Sequence, residues 1–217
     1  ITSGRIVLAN RTNGDIGLRY GGYSIKVVED YGTLCGYEIF KLIDAEITRW
    51  NLEKIIIENT PALNVLVSHG TENAFGDMII ACENDQIMAT NMAFLWACST
   101  GAILGPSMVQ KGALAYMGFN KSLVYVYYPQ PWDGYSDPVT DDNHHPFNDF
   151  YRCLLVQLML GNTVENAVAF AKGRALAFLE AAVKRDVDNQ YIWDLHPLAI
   201  WGLTLDRDRL IFEGDRN

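Results

Sequence analysis

The chain has 217 residues, of which 49% are hydrophobic and 20% are charged, and its formal net charge is -9. This composition is that of a globular protein and excludes intrinsic disorder. The acidic balance argues against nucleic acid and against an anionic membrane surface as partners, because both carry negative charge. The four cysteines are scattered without a CxxC pair, which favours reduced thiols and a cytoplasmic location over disulfides or structural zinc.

The length predicts one domain over residues 1–217. The sequence contains no apolar run long enough to cross a membrane and no signal peptide, so we expect no membrane partner. Because the chain begins at Ile1 rather than Met, it fits a processed product or a part of a longer protein. We therefore keep a larger assembly or a regulatory domain as a possible partner.

The first part of the chain is predicted to alternate strands, loops and helices. In chain order, the pattern indicates a strand at 5–10, a Gly-rich loop at 10–22, a strand at 23–29, a helix at 33–51 and a strand ending at His69. Thr33 is the expected N-cap of that helix. Residues 54–58 fit either a strand or the end of the helical region.

The second part begins with an ambiguous segment at 78–89. It continues with a strand ending at Cys98, a helix at 101–112, strands at 113–119 and 123–128, and a polar loop at 129–146. Helices at 146–160 and 163–185 follow, and residues 200–213 are predicted to form a strand pair or a hairpin around the Asp-Arg-Asp sequence at 206–208. Strands that alternate with helices predict an α/β protein. We expect a three-layer αβα sandwich with a mostly parallel central sheet.

Two apolar runs each end in a chemically reactive side chain. The run at 63–70 ends in His69 and Gly70, and the run at 92–98 ends in Cys98. Parallel strands deliver their carboxyl ends to one edge of the sheet, where ligands bind in such folds, so we expect the two side chains to meet there. A thiol beside an imidazole is the minimum equipment of a cysteine nucleophile with its base. The N–H groups of Gly70 and Cys98 are candidate donors to an oxyanion.

Each of these residues also has a structural interpretation. A cysteine that ends an apolar strand is more often a buried space-filling residue, and a lone histidine is more often structural. The pairing of His69 with Cys98 favours catalysis. The turn at 99–101 leads into a predicted helix, and a thiol near a helix N-terminus is expected to have a lowered pKa.

The order and spacing of these motifs resemble the caspase–hemoglobinase fold (clan CD) cysteine peptidases, closest to the gingipain-like and CHAT branches. That family shares an apolar block followed by His-Gly and a second followed by Ala-Cys or Ser-Cys, which correspond here to NVLVSHG and MAFLWAC. The resemblance covers roughly residues 63–171. The segment before His69 is short and irregular for this fold, so we expect that a first βα unit is missing, replaced or cut away.

The resemblance implies a caspase-like fold and a thiol protease, a hydrolase that cleaves protein or peptide substrates without a cofactor. It implies that His69 polarises or deprotonates at the scissile bond, that Cys98 attacks the carbonyl through a thioester intermediate, and that Gly70 helps to bind the oxyanion. The family works as a dyad, so no third acidic residue is implied.

Substrate preference is less well defined by the sequence. Glu72, Asp77 and Asp85 are candidates for the acidic floor of a binding pocket, and the local surplus of carboxylates leans weakly toward basic residues before the scissile bond. Each of the three also fits an ordinary solvated loop carboxylate.

Two other functions compete with the peptidase. A non-catalytic caspase-like module for interaction or assembly fits the same fold, although such a module needs neither His69 nor Cys98. An unrelated α/β hydrolase or transferase is disfavoured, because the sequence has no GxSxG elbow, phosphate loop or dinucleotide fingerprint.

A metal site is also disfavoured. His144 and His145 lie near acidic residues, namely Asp141, Asp142 and Asp149. Adjacent histidines in a loop point in different directions, and no helical histidine completes a ligand set. We expect no metal at this segment.

Overall fold

The computed structural model describes residues 4–12, 15–124, 137–141, 143–184 and 197–214. Within them lies a six-stranded sheet with the order β2-β1-β3-β6-β7-β8, in which only β8 runs antiparallel to its neighbour. Its strands are β1 (Arg5–Asn10), β2 (Glu38–Ile43), β3 (Leu63–Val67), β6 (Met92–Trp96), β7 (Ala115–Phe119) and β8 (Leu210–Gly214). A small separate hairpin joins β4 (Ala74–Phe75) to β5 (Ile79–Ile80).

Helices cover both faces of the six-stranded sheet, which confirms the predicted α/β class. The helices are α1 (Ile16–Ile25), α2 (Val27–Gly32), α3 (Arg49–Asn59), α4 (Leu104–Gln110), α5 (His145–Met159), α6 (Val164–Lys184) and α7 (Pro197–Arg209). One face, here called face A, packs against α1, α2, α5, α6 and α7. The other, face B, packs against α3, α4 and the small hairpin. Among the described residues, no helix combines the length and hydrophobicity needed to cross a membrane.

The predicted loop at 10–22 is wrong, because α1 occupies most of it. Asp15 caps this helix through a side-chain oxygen that accepts from the N–H groups of Gly17 and Leu18. The glycines that suggested a turn serve close packing instead. A Cβ at Gly21 would lie only 2.6 Å from the indole of Trp96, so glycine lets α1 approach the sheet.

The predicted helix at 33–51 is also wrong, because β2 occupies its middle and α3 begins only at Arg49. Thr33 ends α2, and Thr48 is the N-cap that accepts from Asn51 N. The apolar run in β2 satisfies a helical period and an alternating one equally well. In the structure it alternates, so that Ile39 packs on face A while Phe40 packs on face B.

Two βα units, β1 with α1 and α2 and then β2 with α3, therefore precede β3. The expectation of a missing first unit is wrong. The strand predicted at 23–29 is helical, and residues 54–58 belong to α3. Of the strand pair predicted at 200–213, only β8 exists, since α7 precedes it.

Near the middle of the chain, Leu123 and Val124 are not in a strand. The rest of the strand predicted at 123–128, and half of the 129–146 loop, lie outside the described residues.

The strand order reverses direction at β1, which marks a switch point in the sheet. Starting from β1, the chain first crosses to β2 on one side and later to β3 on the other. In open α/β sheets, ligands bind beyond the carboxyl ends of the strands at such a switch point. The residues that follow β1, β3 and β6 therefore define the candidate site.

Candidate active site

His69 and Cys98 follow neighbouring parallel strands at matching positions. The last paired residues of β3 and β6 are Val67 and Trp96, and two residues further along each strand are His69 and Cys98. Val67 and Trp96 both lie in the core of face A. His69 contacts Asp15 at the start of α1, and Cys98 lies near Asp206 on α7, so both side chains are on face A. The thiol and the imidazole thus lie at the same edge and on the same side of the sheet.

His69 is largely open to solvent, and its side chain is 68% exposed. Its Nε2 lies 3.0 Å from Oδ2 of Asp15. The other oxygen of Asp15 accepts from Gly17 N at 2.7 Å, so the helix cap holds the carboxylate in place. Sequence reasoning missed Asp15, because the segment was interpreted as a loop. An N-cap signal, an aspartate just before Ile16, is the feature that would have found it.

The Cys98 thiol is partly buried. Its Sγ accepts a hydrogen bond from the N–H of Leu123 at 3.3 Å, and the side chain of Ser122 is a second hydrogen-bond partner. Burial raises the pKa of the thiol, and the nearby Asp206 carboxylate raises it further, while the N–H of Leu123 acts in the opposite sense. The expected lowering by a helix N-terminus is wrong, because α4 begins only at Leu104 and a turn separates it from Cys98. In the described part of the chain, no hydrogen bond joins His69 to Cys98.

Gly70 lies directly against the backbone of Cys98. A Cβ at Gly70 would be 2.6 Å from the carbonyl oxygen of Cys98, so only glycine fits without a shift. Gly70 faces Phe75 in an antiparallel bridge, in which the neighbouring residues rather than Gly70 make the hydrogen bonds. Within the described residues, the N–H groups of Gly70 and Cys98 donate to no acceptor. Two backbone donors at the site are therefore available to a ligand.

The three candidate carboxylates of the binding pocket are not gathered together. Glu72 is exposed, and its backbone oxygen accepts from the first N–H groups of α4. Asp77 is 82% exposed and lies 3.9 Å from Arg11, which follows β1. Asp85 is fully buried and accepts a hydrogen bond from Ser107 of α4. The structure thus places Asp85 beneath α4 on face B, away from the edge that carries the thiol.

A fully buried carboxylate, Asp206 on α7, lies close to Cys98 and was also missed. It accepts from Tyr151 Oη at 2.7 Å and from Val124 N at 2.8 Å. Burial raises the pKa of its carboxyl to about 7, while its two donors act against that rise. The sequence does not single out Asp206, because the Asp-Arg-Asp sequence at 206–208 is predicted to form the turn of a hairpin.

Of the adjacent histidines His144 and His145, the structure packs His144 into the core. His144 is completely buried, with Nε2 3.1 Å from Ser24 Oγ and its ring edge-on to Tyr20. Tyr20 donates to Asp141 at 2.6 Å, which ties the residues before α5 to α1. Burial lowers the pKa of His144 to about 3. Among the described residues, no group of three His, Cys, Asp or Glu side chains could hold a metal.

Comparison with known proteins does not assign the chain to a family. No family model matches it, and no curated protein matches it. The function has to be inferred from the site itself: a partly buried thiol, an exposed imidazole held by a carboxylate, and two available N–H groups.

Proposed function

We propose that the chain is a cysteine peptidase that works through Cys98 and His69, as the resemblance to the caspase–hemoglobinase fold implies. The observation that carries the proposal is the register of β3 and β6, which puts both residues beyond matching strand ends on one face. The available N–H groups of Gly70 and Cys98 support it, because acyl transfer requires donors for the developing oxyanion. The strand order further supports a ligand site at this edge.

In the proposed reaction, the thiol of Cys98 gives its proton to His69 as sulfur bonds to the substrate carbonyl carbon. With Nε2 held by Asp15, Nδ1 is the ring nitrogen left for this exchange. His69 then protonates the departing amine, the C–N bond breaks and a thioester remains. Water attacks the thioester, losing a proton to His69, and its hydrolysis releases the carboxylic acid and restores the thiol.

We propose protein or peptide substrates, with a weak preference for basic residues before the scissile bond. Asp15, Asp77 and Glu72 all lie at or near the edge that carries the thiol. Arg11, the cation that follows β1, already faces Asp77. Because Arg11 is paired with Asp77 and Arg209 lies near Cys98, the excess of carboxylates at this edge is small, and the preference that we propose for a positively charged side chain is correspondingly weak.

Replacement of Cys98 tests the proposal. A panel of fluorogenic peptides with Arg, Lys, Asp or Asn before the leaving group should be hydrolysed by the wild-type chain, fastest after Arg or Lys. Cys98→Ala should abolish hydrolysis, because no nucleophile remains to form the thioester. Cys82→Ala is the matched control, since Cys82 is an exposed free thiol outside the site. Equal turnover by Cys98→Ala and the wild-type chain would exclude the mechanism.

Two observations favour the second candidate, a non-catalytic caspase-like module. The pKa of the Cys98 thiol is raised rather than lowered, and His69 is bonded to Asp15 rather than to sulfur. Catalytic hydrogen bonds are often loose before substrate binds, so this arrangement also fits a resting enzyme. A wild-type chain that hydrolyses none of the four peptides, and whose Cys98 resists iodoacetamide at pH 8, would support the non-catalytic module.

A further inference from the structure

Five residues that follow β7, residues 120–124, run across the Cys98 thiol, and we call them the strap. The strap is fixed at several points: Lys121 O accepts from Ser99 N at 3.0 Å, and Ser122 O accepts from Arg209 Nη1 at 2.5 Å. Two successive backbone amides at its end point inward. Leu123 N donates to Sγ of Cys98, and Val124 N donates to Oδ1 of Asp206.

This arrangement couples a buried carboxylate to the thiol by two opposing routes. Through the strap, Asp206 holds Val124 and so places the preceding N–H against sulfur, where it stabilises the thiolate. Through space, the negative charge of Asp206 disfavours a second negative charge on Cys98. Among the described residues, Arg209 opposes that charge, the side chain of Ser122 forms a hydrogen bond with the thiol, and Tyr151, which donates to Asp206, is a further titratable group that faces the pair.

We propose that Asp206 is a positioning residue for Cys98, which holds the strap so that the N–H of Leu123 reaches the sulfur. Asp206 does not touch the substrate. It acts on the ionisation of the thiol, by placing a donor and by its own charge. The inference deepens the proposed function and rests on it in one respect, since it takes Cys98 as the thiol whose ionisation matters.

Two neutral replacements of Asp206 separate the two routes. Asp206→Asn removes the charge but keeps an oxygen that can accept from Val124 N. Asp206→Leu removes both the charge and the acceptor and keeps the same branching at Cγ. Because neither variant carries the charge, any difference between them reports the acceptor and the strap.

The measurement is the rate at which iodoacetamide alkylates Cys98 between pH 6 and pH 10, followed by mass spectrometry of the peptide that contains it. Sulfur bonds to the methylene carbon and iodide leaves, so the rate follows the thiolate fraction. We expect the midpoint for Asp206→Asn to lie below that of the wild-type chain. For Asp206→Leu we expect a midpoint about one pH unit above that for Asp206→Asn, which is about a tenfold slower reaction at pH 7.

Identical profiles for the two variants would overturn the positioning role, and an Asp206→Asn profile equal to the wild type would overturn the charge effect. A second pair keeps the inference testable where Asp206→Leu fails to fold. Leu123→Pro deletes the N–H that reaches sulfur, and Leu123→Ala retains it. We expect the midpoint to rise for Leu123→Pro alone, and equal midpoints would count against the strap.

The readout needs no peptide substrate, so the inference and the proposed function can fail separately. Unchanged peptide hydrolysis by Cys98→Ala would remove the peptidase mechanism while leaving the alkylation profiles as they are. If the alkylation profiles of Asp206→Asn and Asp206→Leu were indistinguishable while Cys98→Ala lost all hydrolysis, the positioning role of Asp206 would be removed and the peptidase mechanism would stand.

Discussion

Helix α1 contacts two histidines, one at its start and one along its length, and the two side chains differ in their exposure to solvent. At its start, Asp15 faces His69, which is largely exposed at the carboxyl edge of the sheet. Along its length, Tyr20 and Ser24 enclose His144, which is completely buried. An exposed imidazole can exchange protons with a substrate, whereas a sealed one is kept neutral by desolvation. The same residue type is therefore open to proton exchange with solvent in one region and packed in the core in the other.

The largest expected effect separates the two histidines. His69→Ala should lower kcat/KM for peptide hydrolysis by about 10²–10⁴-fold, the range for loss of a general acid–base group. Its free energy of unfolding should change by no more than about 1 kcal/mol, because the lost contact is a solvated pair. His144→Ala should instead lower the free energy of unfolding by about 2–4 kcal/mol, because it leaves a cavity between α1 and α5.

Both quantities are measured on the same variants, by urea unfolding and by turnover per folded molecule. The contrast requires that His144→Ala keep nearly the kcat/KM of the wild-type chain while it remains folded. A loss of turnover in folded His144→Ala as large as that in His69→Ala would mean that the buried region takes part in the chemistry.

What the sequence predicts well is the part of the fold that local patterns determine. The β3 and β6 strands are continuous buried apolar runs bounded by polar residues, and these predictions are confirmed by the structure. The long helix α6 follows from its period and from Thr163, whose side chain accepts from Asn166 N. Each of these features depends on a short stretch of neighbouring residues.

What the sequence does not predict depends on residues far apart in the chain. Gly21 resembles a turn residue until the indole of Trp96 lies against it. Asp206 resembles part of an exposed turn until α7 buries it beside Tyr151. The positions of His69 and Cys98 at strand ends were accessible to pattern reasoning. The proximity of Asp15 to His69 and of Asp206 to Cys98 was not, because tertiary packing brings each carboxylate to its partner.

The pH dependence of stability tests the same comparison at the buried histidine, His144. The pKa of His144 is lowered to about 3, so between pH 3 and its unfolded value near 6.5 the unfolded chain binds one more proton than the folded chain. Stability from this group is present above pH 6.5 and is lost as the pH falls. Through this group, the free energy of unfolding changes by at most about 1.4 kcal/mol per pH unit. We rank this effect between that of the two histidine replacements and that of the Asp15 replacements.

Urea unfolding at pH 7, 6, 5 and 4 should therefore show a shallower loss of stability for His144→Gln than for the wild-type chain. The comparison with the variant is required because Asp206 acts in the opposite direction. Its pKa is raised to about 7, so its contribution is present at low pH and is lost as the pH rises through 7. Parallel curves for the two proteins would show that His144 is not held neutral by the fold.

The smallest expected effect concerns Asp15, whose single carboxylate contacts both the start of α1 and the imidazole of His69. It caps α1 through Oδ1 and faces His69 through Oδ2. Asp15→Asn keeps a cap acceptor and removes the charge, and Asp15→Ala removes both. We expect the free energy of unfolding to fall by about 1 kcal/mol for Asp15→Ala and by much less for Asp15→Asn, because asparagine is an equally good N-cap.

Turnover should follow a different pattern from stability. If the carboxylate holds His69 for catalysis, kcat/KM falls in both variants by a similar factor of about tenfold, which is about 1.4 kcal/mol of transition-state stabilisation. Asparagine would then restore the helix without restoring the reaction. Recovery of both stability and kcat/KM in Asp15→Asn would instead show that Asp15 serves only the helix cap. The imidazole of His69 would then be oriented by its own strand end, with no help from the start of α1.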